Sequence, residues 1–143
     1  MKRRNLLQTT LLAAGAAAAA QTADAQGSSA KHRVVFQVSD GDSAKWNLAL
    51  GNIRNMQDGV GADHVEIELV AYGPGIAMLK RDATTSDKVA EAVKSGVKVV
   101  GCQNTMRAYK LASEDMNPAI GYVPSGVVEL MTKQGEGWAY LRP

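Results

Sequence analysis

Cys102 is the single cysteine of the chain, and it stands where Val97-Lys98-Val99-Val100-Gly101 gives way to Gln103-Asn104-Thr105-Met106. The first run reads as a strand, the second as the opening of a helix with Asn104 as its cap. A thiol at that junction feels the positive end of the helix dipole and the unpaired amides of Gln103 and Asn104. Both favour the thiolate, the form that acts as a nucleophile. Arg107, about one and a half turns on, adds positive charge if its side chain reaches back. Free cysteine is also among the most buried residue types, so position alone leaves a reactive and an inert thiol evenly balanced. No histidine follows nearby in sequence, and a Cys–His hydrolase is not signalled.

Three further stretches fall, like Cys102, at the ends of expected strands: Ser39-Asp40-Gly41-Asp42, Gly73-Pro74-Gly75 and Pro124-Ser125. Parallel α/β sheets bind and react at the carboxyl ends of their strands, so Asp40, Asp42, Gly73, Gly75 and Ser125 are candidates for one shared rim. Each has a plainer reading. The first stretch is a turn and helix cap, and Gly-Pro-Gly without a GxGxxG or Walker pattern is a sharp turn rather than a phosphate loop. One cysteine with His32 and His64 supplies too few ligands for a structural zinc site, and no metal is expected.

These residues are positioned by an alternation of two periods. Strands are expected at 33–39, 64–72, 97–101, 119–123 and 138–141. Between the first two lies a helix whose apolar face is Trp46, Ala49, Leu50, Ile53, Met56 and Val60, capped by Asp42 or Ser43 and stopped by Gly59 and Gly61. A short apolar helix "IAMLKR" follows Gly-Pro-Gly. Another opens at Thr84, Thr85 or Ser86 and ends at Gly96, and a last one runs from Pro124-Ser125 to Gly135. Strands alternating with helices imply an α/β sandwich of helices around a mostly parallel sheet of about five strands. In the second strand Val65, Ile67 and Leu69 alternate with Glu66 and Glu68. This puts it near a sheet edge or beside a charged partner, and suits a flavodoxin-like order with the first strand central.

The start of the chain reads as a separate unit. "MKRRNLLQTTLLAAGAAAAAQTADAQG" has a basic start, an apolar Leu/Ala run and a small-x-small site at Ala23-Asp24-Ala25, the pattern of an export signal cleaved after Ala25. Arg3-Arg4 followed by Asn5-Leu6-Leu7 fits the twin-arginine route, and an ordinary secretory signal remains the alternative. The apolar run is too short to span a bilayer, so no stable membrane insertion is expected. Residues 26–31 read as a flexible lead-in and 32–143 as a single domain. The mature protein is expected in the periplasm.

Of 16 basic and 14 acidic residues, the leader holds three and one, leaving 13 of each in the mature chain. A net charge of zero removes the electrostatic footprint of nucleic-acid binding and gives little repulsion against self-association.

Three stretches in order, "YGPG" at 72–75, "VKVVGCQNTMRAYKL" and "VPSGVVELMTKQGEGWAYLRP", resemble the DsrE/DsrF-like family of small sulfur-relay proteins over residues 32 to 143. The resemblance implies a flavodoxin-like α/β fold and homo-oligomers such as trimers or hexamers. In active members it also implies a cysteine that carries a persulfide, a role that falls on Cys102 alone. On that reading Gln103, Asn104 and Arg107 support the sulfur charge, no cofactor is needed, and donor or acceptor proteins exchange sulfane sulfur with an accessible, partly ionised thiol. The alternative is a non-catalytic oligomeric module that binds a small ligand or protein, with Cys102 structural. A redox sensor forming an intersubunit Cys102–Cys102 disulfide is a third.

Overall fold

The β-branched run after Lys31 forms strand β1 (His32–Val38), and Asp42 then caps helix α1 (Ser43–Val60) by accepting the Ala44 amide at 2.8 Å. This is a computed structural model, and it describes residues 31–143; the expected export signal and all but the last residue of the lead-in lie outside the described residues. Gly61, at φ +89, ends α1, whereas Gly59 lies within it. Strand β2 (Val65–Ala71), helix α2 (Ser86–Lys94), strand β3 (Lys98–Cys102), helix α3 (Gln103–Ala108), strand β4 (Gly121–Val123), helix α4 (Gly126–Gly135) and strand β5 (Ala139–Leu141) follow.

Two elements differ from expectation. The segment after β2 is a 3₁₀ stretch, Gly73–Leu79, not an α-helix at 76–81: Pro74 starts it, and Lys80 leaves it to bridge Met116. The fourth strand starts at Gly121 rather than residue 119, because Asn117 holds the preceding turn by accepting the Ala119 and Ile120 amides.

All five strands are parallel, in the order β4-β3-β2-β1-β5. The expected α/β class holds, and the expected strand order does not: β2 is the middle strand, and β1 lies between β2 and β5. The order dictates the layers. The steps β1→β2→β3→β4 all move one way across the sheet, so right-handed crossovers put their helices on one face. The return from β4 to β5 moves the other way and puts α4 on the opposite face.

The residue alternation matches. Val34, Phe36, Val38, Ile67, Leu69, Ala71 and Val99 pack with α1, α2 and the 3₁₀ stretch. Val35, Val70, Val100 and Val123 pack with Leu130 of α4 and with Trp138.

Glu68 shows why the second strand misleads. Its carboxylate points to the α4 face and is fully buried there, with Lys98 and Lys133 each 3.3 Å from Oε2. The alternation marks a charged partner, not an edge.

Candidate functional site

Because every strand is parallel, the Ser39–Asp42 loop, the Gly73–Gly75 turn, Cys102 and Pro124–Ser125 all leave the sheet at its carboxyl rim. Within that rim the structure assembles a smaller group around the sulfur.

Cys102 is the last residue of β3 and the N-cap of α3; Asn104 lies in the first turn and is not the cap. The Asn104 amide donates to the Pro124 carbonyl at 3.2 Å, which ties the start of α3 to the loop before α4. The Gly73 amide donates to Thr105 Oγ1 at 3.0 Å, which ties the end of β2 to the same place. Gly126, the first residue of α4, packs so closely on Tyr72 that a Cβ there would lie 3.1 Å from the Tyr72 Cβ. Cys102 therefore sits where three segments converge.

The side chain is only 4 % exposed, so the rim position does not leave the thiol freely open to solvent. It belongs to neither hydrophobic cluster. Burial alone pushes the thiol pKa up. Against it act the Thr105 hydroxyl and the backbone amides of Gly126, Thr105 and Asn104, and the net result lies below the ordinary thiol value of 9.0. The net balance favours the thiolate, on a side chain that is almost fully buried.

The other rim candidates have different partners. Asp40 pairs with Lys45 at 3.2 Å and Arg142 at 3.5 Å, and the hydrogen bond from Lys45 chiefly holds its carboxyl below the usual range. Its carbonyl accepts the Trp46 indole N–H at 2.6 Å, so this aspartate orients α1. Asp42 is the α1 cap. Gly75 presses on β1: a Cβ there would lie 2.2 Å from the Val38 carbonyl oxygen. Ser125 is the N-cap of α4, half-buried, one residue before the Gly126 amide. Gln103 is exposed, and Arg107 turns its guanidinium to Asn104 Oδ1.

Sequence reasoning missed Thr105, Gly126 and Tyr72. The Gly73 amide that bonds Thr105 lies far off in sequence, so Thr105 left no local signal. The approach of Gly126 to Tyr72 is long-range and left none.

Beside this group runs a groove of about 370 Å³ between α4 and β5, lined by Tyr72, Val127, Leu130, Met131 and Tyr140 among others. Val127, Met131 and Tyr140 are exposed there. Among the described residues no cluster of His, Cys, Asp and Glu is placed to hold a metal ion, and no helix is long and apolar enough to cross a membrane.

Comparison with known proteins places this geometry. A family model, the DsrE/DsrF-like family, matches residues 8–143. Among solved structures, the chain is similar to MTH1491, a protein of unknown function from Methanobacterium thermoautotrophicum, with 37 % identity over 79 % of this chain and 100 % of that one, and a TM-score of 0.75. BT1422 of Bacteroides thetaiotaomicron, a conserved protein of unknown function, shares the fold at 15 % identity (78 % of this chain, 94 % of that one, TM-score 0.65). So does the ychN protein of E. coli, at 11 % identity (80 % and 99 %, TM-score 0.65). No curated protein matches the sequence.

Proposed function

The chain belongs to the DsrE/DsrF-like family, and from that premise we propose that it carries sulfane sulfur as a persulfide on Cys102. One observation carries the reading: the only thiol ends β3 at the carboxyl rim as the N-cap of α3, where its pKa lies below the ordinary thiol value.

In the loading step the Cys102 thiolate attacks the outer sulfur of a donor persulfide R–S–SH. The new Cys102–sulfur bond forms as the R–S bond to that sulfur breaks, and R–S⁻ leaves while the proton stays on the transferred sulfur. An acceptor thiolate then attacks the outer sulfur of Cys102–S–SH, forms its own persulfide and returns the Cys102 thiolate. Two electrons move with each S–S exchange, and no external oxidant is consumed.

The residues before the fold are read as an export leader, which puts this relay in the periplasm. The near-zero mature charge and the exposed apolar residues of the α4–β5 groove support assembly into a homo-oligomer. That groove also favours a second reading, a non-catalytic oligomeric binding module in which Cys102 is structural.

Intact mass after incubation with polysulfide separates the two. The relay predicts a gain of about 32 Da per added sulfur in the wild type and none in Cys102→Ser. An unmodified wild type overturns it. The binding module predicts instead that Cys102→Ala leaves assembly intact and that the native thiol takes up no sulfur.

A further inference from the structure

We propose that β5 is the pairing edge between two copies of this chain: two β5 strands meet antiparallel about a two-fold axis at Tyr140 and join two five-stranded sheets into one. The inference deepens the homo-oligomer part of the reading above and rests on it, and it is independent of the chemistry at Cys102.

The strand order leaves β5 with one neighbour. It pairs with β1 through Val34–Ala139, Val35–Tyr140 and Phe36–Leu141, and among the described residues no strand lies on its other side. Outward-facing backbone donors and acceptors make such an edge a template for a further strand. Lysine or proline commonly blunts exposed edges, and Ala139-Tyr140-Leu141 contains neither. The strand is short, so side chains must supply most of the contact.

Those side chains say what the edge is built to meet. Of the nine large apolar side chains exposed among the described residues, five lie on α4 and β5: Val127, Val128, Met131, Tyr140 and Leu141. By register Tyr140 shares the face of Val35, on the α4 side, whereas Leu141 shares the face of Phe36, on the α1 side. Apolar surface therefore flanks both faces of one edge. A small ligand in the α4–β5 groove would cover Tyr140 and leave Leu141 in water. A strand that extends the sheet covers both. The opposite edge, β4, exposes Tyr122 alone.

The edge is complementary to itself. In an antiparallel pair centred on Tyr140, each Tyr140 faces its copy, and each Leu141 faces Ala139 of the other chain. A two-fold axis perpendicular to the sheet keeps both α4 helices on one face. Val127 and Met131 of the two copies then close over the tyrosine pair and fill the groove of about 370 Å³. Arg142 beyond one end of β5 and Glu136 before the other are half exposed, and antiparallel pairing turns the basic end of each copy toward the acidic residue of the other. Within one chain they lie 3.5 Å from Asp40 and 3.9 Å from Lys133, while Arg33 is occupied by the Glu136 carbonyl.

Tyr140 is held in place before any partner arrives. Its hydroxyl donates to Gln37 Oε1, and Gln37 Nε2 donates to Ser39 Oγ at 3.0 Å, so little freedom is lost on pairing. The five side chains leave on the order of 400 Å² of apolar surface around the edge, the range that marks an interaction site. A stable interface takes about 800 Å² from each partner, and the strand edge, Gln134 and the charged ends make up the remainder.

The test uses the full chain. Facing residues of an antiparallel pair have Cα atoms about 4.5–5.5 Å apart, within disulfide reach. Tyr140→Cys combined with Cys102→Ser, oxidised with glutathione disulfide, is expected to run mainly as a covalent dimer on non-reducing electrophoresis. Leu48→Cys with Cys102→Ser, on the exposed side of α1, is expected to stay monomeric there. Sedimentation velocity is expected to show the wild type as a dimer or an even-numbered assembly built from it. Met131 is 65 % exposed and not needed for folding; Met131→Asp is expected to raise the dissociation constant at least about tenfold, and Leu48→Asp to leave it within about threefold.

A folded Tyr140→Cys protein without the cross-link overturns the proposal. So does a dissociation constant indifferent to Met131→Asp, or a trimer, which two-fold pairing cannot build. If the Tyr140→Cys protein does not fold, Met131→Asp against Leu48→Asp decides alone. An oligomer that fails these tests removes this inference and keeps the homo-oligomer reading. A monomeric wild type removes both and leaves the edge to a strand of another protein. Sulfur uptake by Cys102 is decided separately, by intact mass.

Discussion

Lys133 Nζ on α4 stands 3.3 Å from Glu68 Oε2 on β2, joining that helix to the middle strand beneath it. Lys98 makes a second contact at 3.3 Å, and Lys133 also lies 4.5 Å from the centre of the Trp138 ring. Removing Lys133 leaves the buried carboxylate with only the more exposed Lys98 as its cation, while replacing both Glu68 and Lys133 with apolar groups is often tolerated. Lys133→Met is therefore expected to cost about 1–3 kcal/mol, and Glu68→Leu with Lys133→Met to recover most of that loss. Denaturant unfolding of the three proteins checks it; a double variant worse than the single one contradicts it.

The same carboxyl gives a pH dependence. Burial, then the neighbouring Glu129 carboxyl, raise the Glu68 pKa above 4.5 despite Lys98 and Lys133. The folded protein thus binds an extra proton between the ordinary carboxylate value and the raised one. In that window stability falls as pH rises, the opposite of the effect of a carboxylate whose pKa is lowered. Glu68→Gln is expected to flatten this slope upward from pH 4.5, as measured by denaturation at stepped pH.

Two glycines should respond in opposite directions. A Cβ at Gly75 would meet backbone atoms of Val38 at 2.2 and 2.6 Å, and neither can move without shifting β1. Gly75→Ala is expected to cost about 3 kcal/mol or more. At Gly51, inside α1, an added Cβ would meet nothing within 4 Å, and Gly51→Ala should stabilise by about 0.4–1 kcal/mol. Thermal unfolding of the pair tests both signs together.

Much of this fold is legible in the sequence alone. The five strands, the α1 cap at Asp42 and the strand-to-helix handover at Cys102 follow from periodicity and capping chemistry, because those signals are local. Local signals left an edge and a charged partner both open at Glu66 and Glu68. Alternating glutamates look solvated, and only Lys98 and Lys133, distant in sequence, reveal that one of them is buried. The site was half legible for the same reason. Asn104 and Ser125 were marked by the residues beside them. The Gly73–Thr105 hydrogen bond and the Gly126–Tyr72 contact exist only because the sheet order brings β2, β3 and α4 together.

Arg107 donates to Asn104 Oδ1 and is exposed, where water and salt screen its charge. Arg107→Ala is expected to change the Cys102 alkylation rate by less than about threefold at moderate salt. A tenfold drop would assign the guanidinium a direct part in holding the thiolate.

Sulfur transfer at this site requires a thiol that ionises early and can be reached although only 4 % of its residue is exposed. The decisive quantity is the alkylation rate of the folded wild-type protein by iodoacetamide across pH, alongside a bulky maleimide. Full modification by the small reagent is expected, with a midpoint below 9.0, and slower reaction with the bulky one. A thiol that stays unmodified until the protein unfolds, or that titrates at or above 9.0, would contradict it.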